Sequence, residues 1–334
     1  MHDLDFKDVV LYSRVRLARN FADLPFPSAM HGNDGAKAQL RAAEALEHTP
    51  EGREYALLRV HDMPEARRRS LMEQNLITRE LLSAGEFAAV LLRRDENVSI
   101  MLNEDDHLRI HAILPGYRLR EAAELAFAAD DAIGKDVQYA YDAELGFLTS
   151  CPTNTGTGMR VSALLHLPSL TRTNQIAPIV QELVKLGVSL RSQYSEEGEA
   201  QGELYLISNQ VALGRSEEEL LDSLEDVIGE IVGRERNARE VLLLESDSKL
   251  EDRLMRSLGI LRYARRLSQA EWMRRWSDVR LAVQAGMLHM ELAELDALLD
   301  AAKPAHLEMV AGYELSPTER DEQRALLVRE ALQK

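Results

Sequence analysis

A single cysteine, Cys151, occurs in the 334 residues, so no internal disulfide can form. No apolar run approaches the roughly 20 residues needed to cross a bilayer. The N-terminus, Met-His-Asp-Leu-Asp-Phe-Lys-Asp, is acidic and lacks an apolar core, so it does not read as a secretion signal. These absences point to the cytoplasm and away from a membrane. Basic residues are outnumbered, 40 against 56 acidic ones, for a net charge of −16. Direct nucleic-acid binding needs basic surface and is disfavoured, while arginines gathered at turn-rich loops call for an explanation. With 45% hydrophobic and 29% charged residues and few glycines or prolines, the composition is that of an ordinary globular protein. The length suits a catalytic core plus a second, smaller domain.

The first two thirds mix strand and helix signals. Val9–Leu17, Tyr55–Val60, Val98–Leu102, Leu108–Leu114, Met159–Leu167, Val188–Leu190 and Leu204–Ile207 are rich in Val, Ile, Leu and Tyr and bounded by polar residues, which predicts strands. Helical periodicity covers about 35–47, 64–84, 118–133, 173–186 and 217–243, with Pro64 at a helix start where its missing N–H costs nothing. This pattern predicts an α+β domain over residues 1–245, built on a mostly antiparallel sheet. From 246 to 334 the strand signal stops and four or five helices follow, with Ser316 capping the last and Pro317 at its first position.

Several segments carry chemistry. Cys151-Pro-Thr-Asn-Thr-Gly-Thr-Gly-Met-Arg160 is a turn-prone run rich in backbone donors and hydroxyls, closed by a cation, as an anion site requires. Arg14 and Arg16 alternate along a strand and share a face. That face is either solvated or holds an anion between two like charges. Asn103-Glu104-Asp105-Asp106-His107-Leu108-Arg109 sets three adjacent carboxylates between apolar strands: a solvated turn, a metal site, or a base beside an ion-positioning group. The polar loop from Arg191 through Glu196 to Gly202 is a surface connection or a lid.

Together these runs, with His166-Leu167-Pro168 and Ile207-Ser208-Asn209-Gln210, keep the order of the ATP:guanido phosphotransferases, the phosphagen kinase superfamily. The resemblance covers most of residues 8–245 and is closest to the bacterial protein-arginine kinases. Like them, the chain begins almost directly at the arginine-pair strand, without the small helical N-terminal domain of creatine and arginine kinases. The resemblance implies that Arg14, Arg16, Arg109, Arg160 and Arg191 hold the ATP phosphates, since guanidinium forks suit phosphate oxygens. Mg²⁺ would accompany ATP with few protein ligands, Glu104 lying near it through water. Asp105 and Glu196 would grip the acceptor guanidinium and draw off its proton, and Cys151 would orient it. Two departures stand out. Asp105 replaces the family's glutamate and shortens its reach by about 1.5 Å, where a misplacement of about 1 Å can cost on the order of a hundredfold in rate. Ser192 and Ser195 stand where the family's loop has glycine.

The helical tail resembles the protein-arginine kinase C-terminal domain through Arg320-Asp321-Glu322-Gln323-Arg324-Ala325. The resemblance implies a phospho-arginine sensor in which Arg320 and Arg324 share a helical face as a phosphate clamp, Asp321 meets the remaining guanidinium nitrogens, and the domain contributes to a homodimer or larger assembly. The expected function is transfer of the ATP γ-phosphoryl group to arginine side chains of proteins, marking them for a ClpC-type protease, with a McsA-like protein as a candidate activator. The alternatives are a degenerate kinase that reads phospho-arginine and a phosphagen kinase acting on a small guanidino compound.

Overall fold

The computed structural model describes residues 5–194, 200–245 and 248–333. Its strands are β1 (Val10–Arg19), β2 (Tyr55–Arg59), β3 (Ala89–Arg93), β4 (Val98–Leu102), β5 (Leu108–Pro115), β6 (Tyr141–Asp142), β7 (Gly146–Phe147), β8 (Met159–His166), β9 (Val188–Tyr194) and β10 (Ala200–Asn209). Its helices are α1 (Asp34–Glu47), α2 (Glu65–Glu73), α3 (Arg79–Ser83), α4 (Leu119–Gly134), α5 (Pro168–Arg172), α6 (Ile176–Lys185), α7 (Glu217–Glu245), α8 (Ser248–Tyr263), α9 (Gln269–Gln284), α10 (Leu292–Ala301), α11 (Pro304–Ala311) and α12 (Pro317–Leu332). No helix among the described residues is long and apolar enough to cross a membrane.

The chain forms two compact units that do not follow chain order. One comprises Tyr12–Ala163 and Ser208–Asp226; the other comprises Met1–Leu11, Leu164–Ile207 and Val227–Lys334. In the first, neighbouring strands run β2-β3-β4-β5-β1-β8, and the pairs β2–β3, β3–β4, β4–β5 and β1–β5 are all antiparallel. Every residue of β4 is buried, as expected of a strand covered on both faces. One cover is the apolar cluster of Leu71, Leu76, Ile77 and Leu81 against Val90, Leu92 and Met101. The predicted helix over 64–84 is broken: Asn75 adopts φ +60°, and Thr78 restarts the chain as the N-cap of α3, accepting a hydrogen bond from the Leu81 N–H.

In the other unit, β10 and β9 are neighbours and the C-terminal region is all helical. Leu250 and Leu254 of α8 pack with Leu281 and Ala282 of α9. The expected start of α12 is present: Ser316 and Glu319 form a reciprocal capping box, with Pro317 in the first turn.

Candidate active site

The register of β1 against β5 assembles a cluster of cations. Arg16 lies opposite His111 and Ala18 opposite Arg109, and side chains two apart share a sheet face. Arg14, Arg16, His111 and Arg109 therefore project from one surface. Arg16, Arg109, Arg160 and Asn154 line a common cleft. Arg14 is buried, its Nε donating to Ser162 Oγ at 3.2 Å. Arg160 Nε donates to the Asn209 carbonyl at 3.3 Å, and Asn209 also binds the flanking backbone through Val161 N–H and the Met159 carbonyl. Asn209 thus fixes the strand segment that carries Arg160.

Burial, followed by the charges of Arg14, Arg109 and Arg160, pushes the Arg16 guanidinium well below its ordinary pKa. Its Nε is buried without a hydrogen-bond partner among the described residues. Burial and the charges of Arg16, Arg14 and Arg109 likewise hold His111 well below the usual imidazole range, so it is neutral. Such a cluster is unfavourable alone and complete with a polyanion. The donor set fits nucleotide phosphates.

The acidic run is the hairpin loop between β4 and β5. Asn103, at φ +59°, takes the left-handed turn that asparagine tolerates, and its N–H donates to the His107 carbonyl at 3.0 Å. The loop separates its three carboxylates into three roles. Glu104 is buried, accepting from Arg109 Nη1 and from Thr78 Oγ1, each at 2.5 Å. Asp106 is buried, accepting from Asn20 Nδ2 at 2.6 Å and from the Ser150 N–H at 2.7 Å. Asp105 alone of the three is exposed, and its carbonyl accepts from Ser150 Oγ at 2.6 Å. His107 accepts the Phe21 N–H at Nδ1 and lies 3.0 Å from the Pro25 carbonyl at Nε2, which fixes its neutral tautomer as Nε2–H. The loops bearing Asp105 and Cys151 are therefore tied together through Asp106 and Ser150.

Cys151 is half-buried, with Sγ 3.0 Å from Thr153 Oγ1. Its loop closes on β1, where Ala18 N–H donates to the Gly158 carbonyl at 2.9 Å. Gly158 has φ +66°, and a Cβ there would lie 2.5 Å from Arg19 Nη1 and 2.6 Å from the Ala18 carbonyl oxygen. Only glycine fits. Arg19 is an internal tie, paired with Asp130 at 2.6 Å and set 3.6 Å from the Phe147 ring centre.

The structure thus brings together Arg14, Arg16, Arg109 and Arg160, with Glu104 against Arg109, and ties the Asp105 and Cys151 loops to each other. Arg191 is exposed on β9, in the other compact unit. Glu196 and Ser195 lie outside the described residues. On α12 the expected open clamp differs. Arg320 and Asp321 are half-buried, but Arg324 is only 2% exposed. Arg324 donates to the Ala302 and Leu267 carbonyls at 2.9 and 2.7 Å and to Asp321 at 2.8 Å. Sharing a helical face did not make both arginines accessible, because that face packs on the α10 terminus and the turn before α9. Asn20, Thr78, Ser162 and Asn154 were not singled out from the sequence. They are ordinary polar residues until the fold places them beside charged ones.

The ATP:guanido phosphotransferase C-terminal catalytic domain profile matches residues 37–238, and the protein-arginine kinase McsB C-terminal domain profile matches residues 247–334. A protein-arginine kinase of Caldanaerobacter subterraneus subsp. tengcongensis is 42% identical over 330 residues, 98% of each chain. One of Moorella thermoacetica is 43% identical over 329 residues, 97% of this chain and 94% of its own. Among solved structures, the duplicated taurocyamine kinase from Schistosoma mansoni superposes with a TM-score of 0.62 at 26% identity, over 69% of this chain and 33% of that longer one. Lombricine kinase superposes with a TM-score of 0.62 at 21% identity, over 73% and 69% of the two chains, a likeness of fold. With a matching catalytic domain, a matching C-terminal domain and relatives similar along nearly its whole length, the chain belongs to the ATP:guanido phosphotransferase family and, within it, to the protein-arginine kinases.

Proposed function

We propose that this chain transfers the γ-phosphoryl group of ATP to an arginine side chain of a protein. An N–P bond forms as the bond from the γ-phosphorus to the ADP oxygen breaks, and one guanidinium proton is released. The observation that carries this reading is the separation of the three adjacent carboxylates. Glu104 is held by Arg109 and Thr78, Asp106 by Asn20 and Ser150, and Asp105 is left facing solvent beside the cysteine loop.

Phosphoryl transfer depends on positioning and charge neutralisation. In this reading Arg14, Arg16, Arg109 and Arg160, joined by Arg191, hold the phosphates. Mg²⁺ would be held chiefly by the phosphate oxygens and water, because it keeps much of its hydration and takes few protein ligands. Glu104, with both oxygens engaged, acts mainly by fixing Arg109. Asp105 and Glu196 orient the acceptor guanidinium and Asp105 takes its proton, which matters because a guanidinium has no lone pair suited to attack. Cys151 sits on the loop tied to Asp105, where it would contact the acceptor.

We assign residues 1–245 to catalysis and 246–334 to a helical domain that senses phospho-arginine and contributes to a dimer. Arg320 and Asp321 would meet the ligand and Arg324 would hold α12 in place. Marking substrates for a ClpC-type protease, under a McsA-like activator, is the use consistent with this reading. Supplying free arginine and a folded protein side by side tests the acceptor. Phosphorylation of the protein is expected; phosphorylation of free arginine alone would contradict it.

A further inference from the structure

Beside Asp105 a second cleft opens between the acidic hairpin, the start of α1 and the segment before β3. Asp105, Ser150, Gly35, Glu86 and Phe87 all line it, as does His31. Its lining among the described residues includes three carboxylates, Glu86, Glu104 and Asp105, and no lysine or arginine. Glu104 is occupied by Arg109 and Thr78, which leaves two exposed carboxylates, Asp105 and Glu86, in the lining.

An independent feature points to a ligand. Asn103 lines this cleft and is only 6% exposed. Its Nδ2 donates to the Gly35 carbonyl at 3.0 Å and to the Phe87 carbonyl at 2.9 Å. Those two bonds fix the amide orientation, because a flipped amide would set oxygen against two carbonyl oxygens. Oδ1 is then a buried acceptor with no donor among the described residues, an arrangement that is costly unless a donor arrives. The wall is rigid. The Phe87 carbonyl also accepts from Gln39 Nε2 at 2.6 Å, and a Cβ on Gly35 would lie 2.7 Å from Phe87 Cβ.

Resting on the protein-arginine reading above, we infer that this cleft binds a second cationic side chain of the substrate, a lysine or arginine next to the acceptor. The acceptor guanidinium meets Asp105, and the neighbouring cation donates to Asn103 Oδ1 and pairs with Glu86. Substrate choice then depends on the residue beside the target arginine.

The test uses the full chain with Mg²⁺ and ATP. Two acceptor peptides differ only in a lysine or a glutamine beside the arginine, and a third peptide has lysine and no arginine. The lysine-flanked peptide should be favoured about tenfold in kcat/KM, the worth of one charge-assisted hydrogen bond, and Glu86→Gln should bring that ratio close to one. Chemical-shift titration should show the arginine-free peptide binding the wild type and binding Glu86→Gln several-fold more weakly. Robust phosphorylation with no preference, a preference that survives Glu86→Gln, or no binding of the arginine-free peptide would each overturn the cleft assignment. If that peptide binds in a Glu86-dependent way while neither arginine peptide is phosphorylated, the cleft stands and the acceptor reading falls.

Discussion

The Asp106 carboxylate accepts the backbone N–H of Ser150 at 2.7 Å, with the Asn20 amide on the same oxygen at 2.6 Å. The Ser150 contact spans 44 residues of sequence and joins the loop of Asp105 to that of Cys151. Asp106→Ala should lower kcat by at least tenfold with little change in KM for ATP, because Arg14, Arg16 and Arg160 lie on β1 and β8 and Arg109 is held by Glu104. Losing the acceptor for the buried Asn20 amide should also cost roughly 1–3 kcal/mol of stability. Steady-state kinetics with a denaturant titration checks both. Equal losses in ATP binding and in rate would place Asp106 with the nucleotide instead.

Arg16 presents a conflict between stability and function. It is a half-buried cation among cations, its Nε buried, so Arg16→Gln should raise the melting temperature of the nucleotide-free protein while weakening ATP binding at least tenfold. ATP should stabilise the wild type far more than the variant, since a ligand that binds only the native state adds stability with its concentration. Thermal unfolding with and without ATP reads all three effects. A destabilised variant that still binds ATP would remove Arg16 from the phosphate site.

Three histidines set an acid limit on the fold. Burial is the first cause holding His107, His111 and His166 below the ordinary imidazole range, with neighbouring arginines adding to it for His111 and His166. Each is neutral when folded but protonates in the unfolded chain below pH about 6.5. The unfolded state then binds more protons, and stability falls as pH drops from about 6.5 toward the folded-state values. The slope is at most about 1.4 kcal/mol per pH unit for each histidine. His111→Gln should flatten this dependence; denaturant midpoints from pH 7.5 to 5.5 that superpose with the wild type would contradict it.

On α12 two arginines four residues apart should behave differently. Arg324→Ala removes the donor from two carbonyls and from Asp321 and should destabilise the protein by about 3 kcal/mol. Arg320→Ala, half-buried and 3.9 Å from Glu308, should fold normally and bind a phospho-arginine peptide more weakly. Melting curves with peptide titrations separate the two roles. An unchanged affinity in Arg320→Ala would remove the sensor assignment.

The sheet was largely legible because its strands are apolar runs with polar borders: Val98–Leu102 is β4, and Leu108–Leu114 falls inside β5. The apolar run of β3 was overlooked, since five residues, Ala89–Arg93, carry no periodicity that distinguishes strand from helix. The helix read over 64–84 proved to be α2 and α3, divided at Asn75. Within the site, the motifs located the acidic loop and the arginine strand, but not which carboxylate is open. That depends on Asn20 and Thr78, 86 and 26 residues away in sequence. Likewise the spacing of Arg320 and Arg324 gives a shared helical face, whereas the accessibility of that face is set by what packs on it.

The central claim is the transfer itself, with Asp105 as the open acid. The most direct measurement incubates the full chain with Mg²⁺, ATP and an arginine-bearing protein, followed by mass spectrometry without acid exposure, for wild type and Asp105→Ala in parallel. Phosphate on arginine with the wild type, reduced at least about a hundredfold in Asp105→Ala as expected for loss of a general base, is the predicted result. Phosphate absent from arginine with the wild type, or equal labelling by Asp105→Ala, would contradict the account.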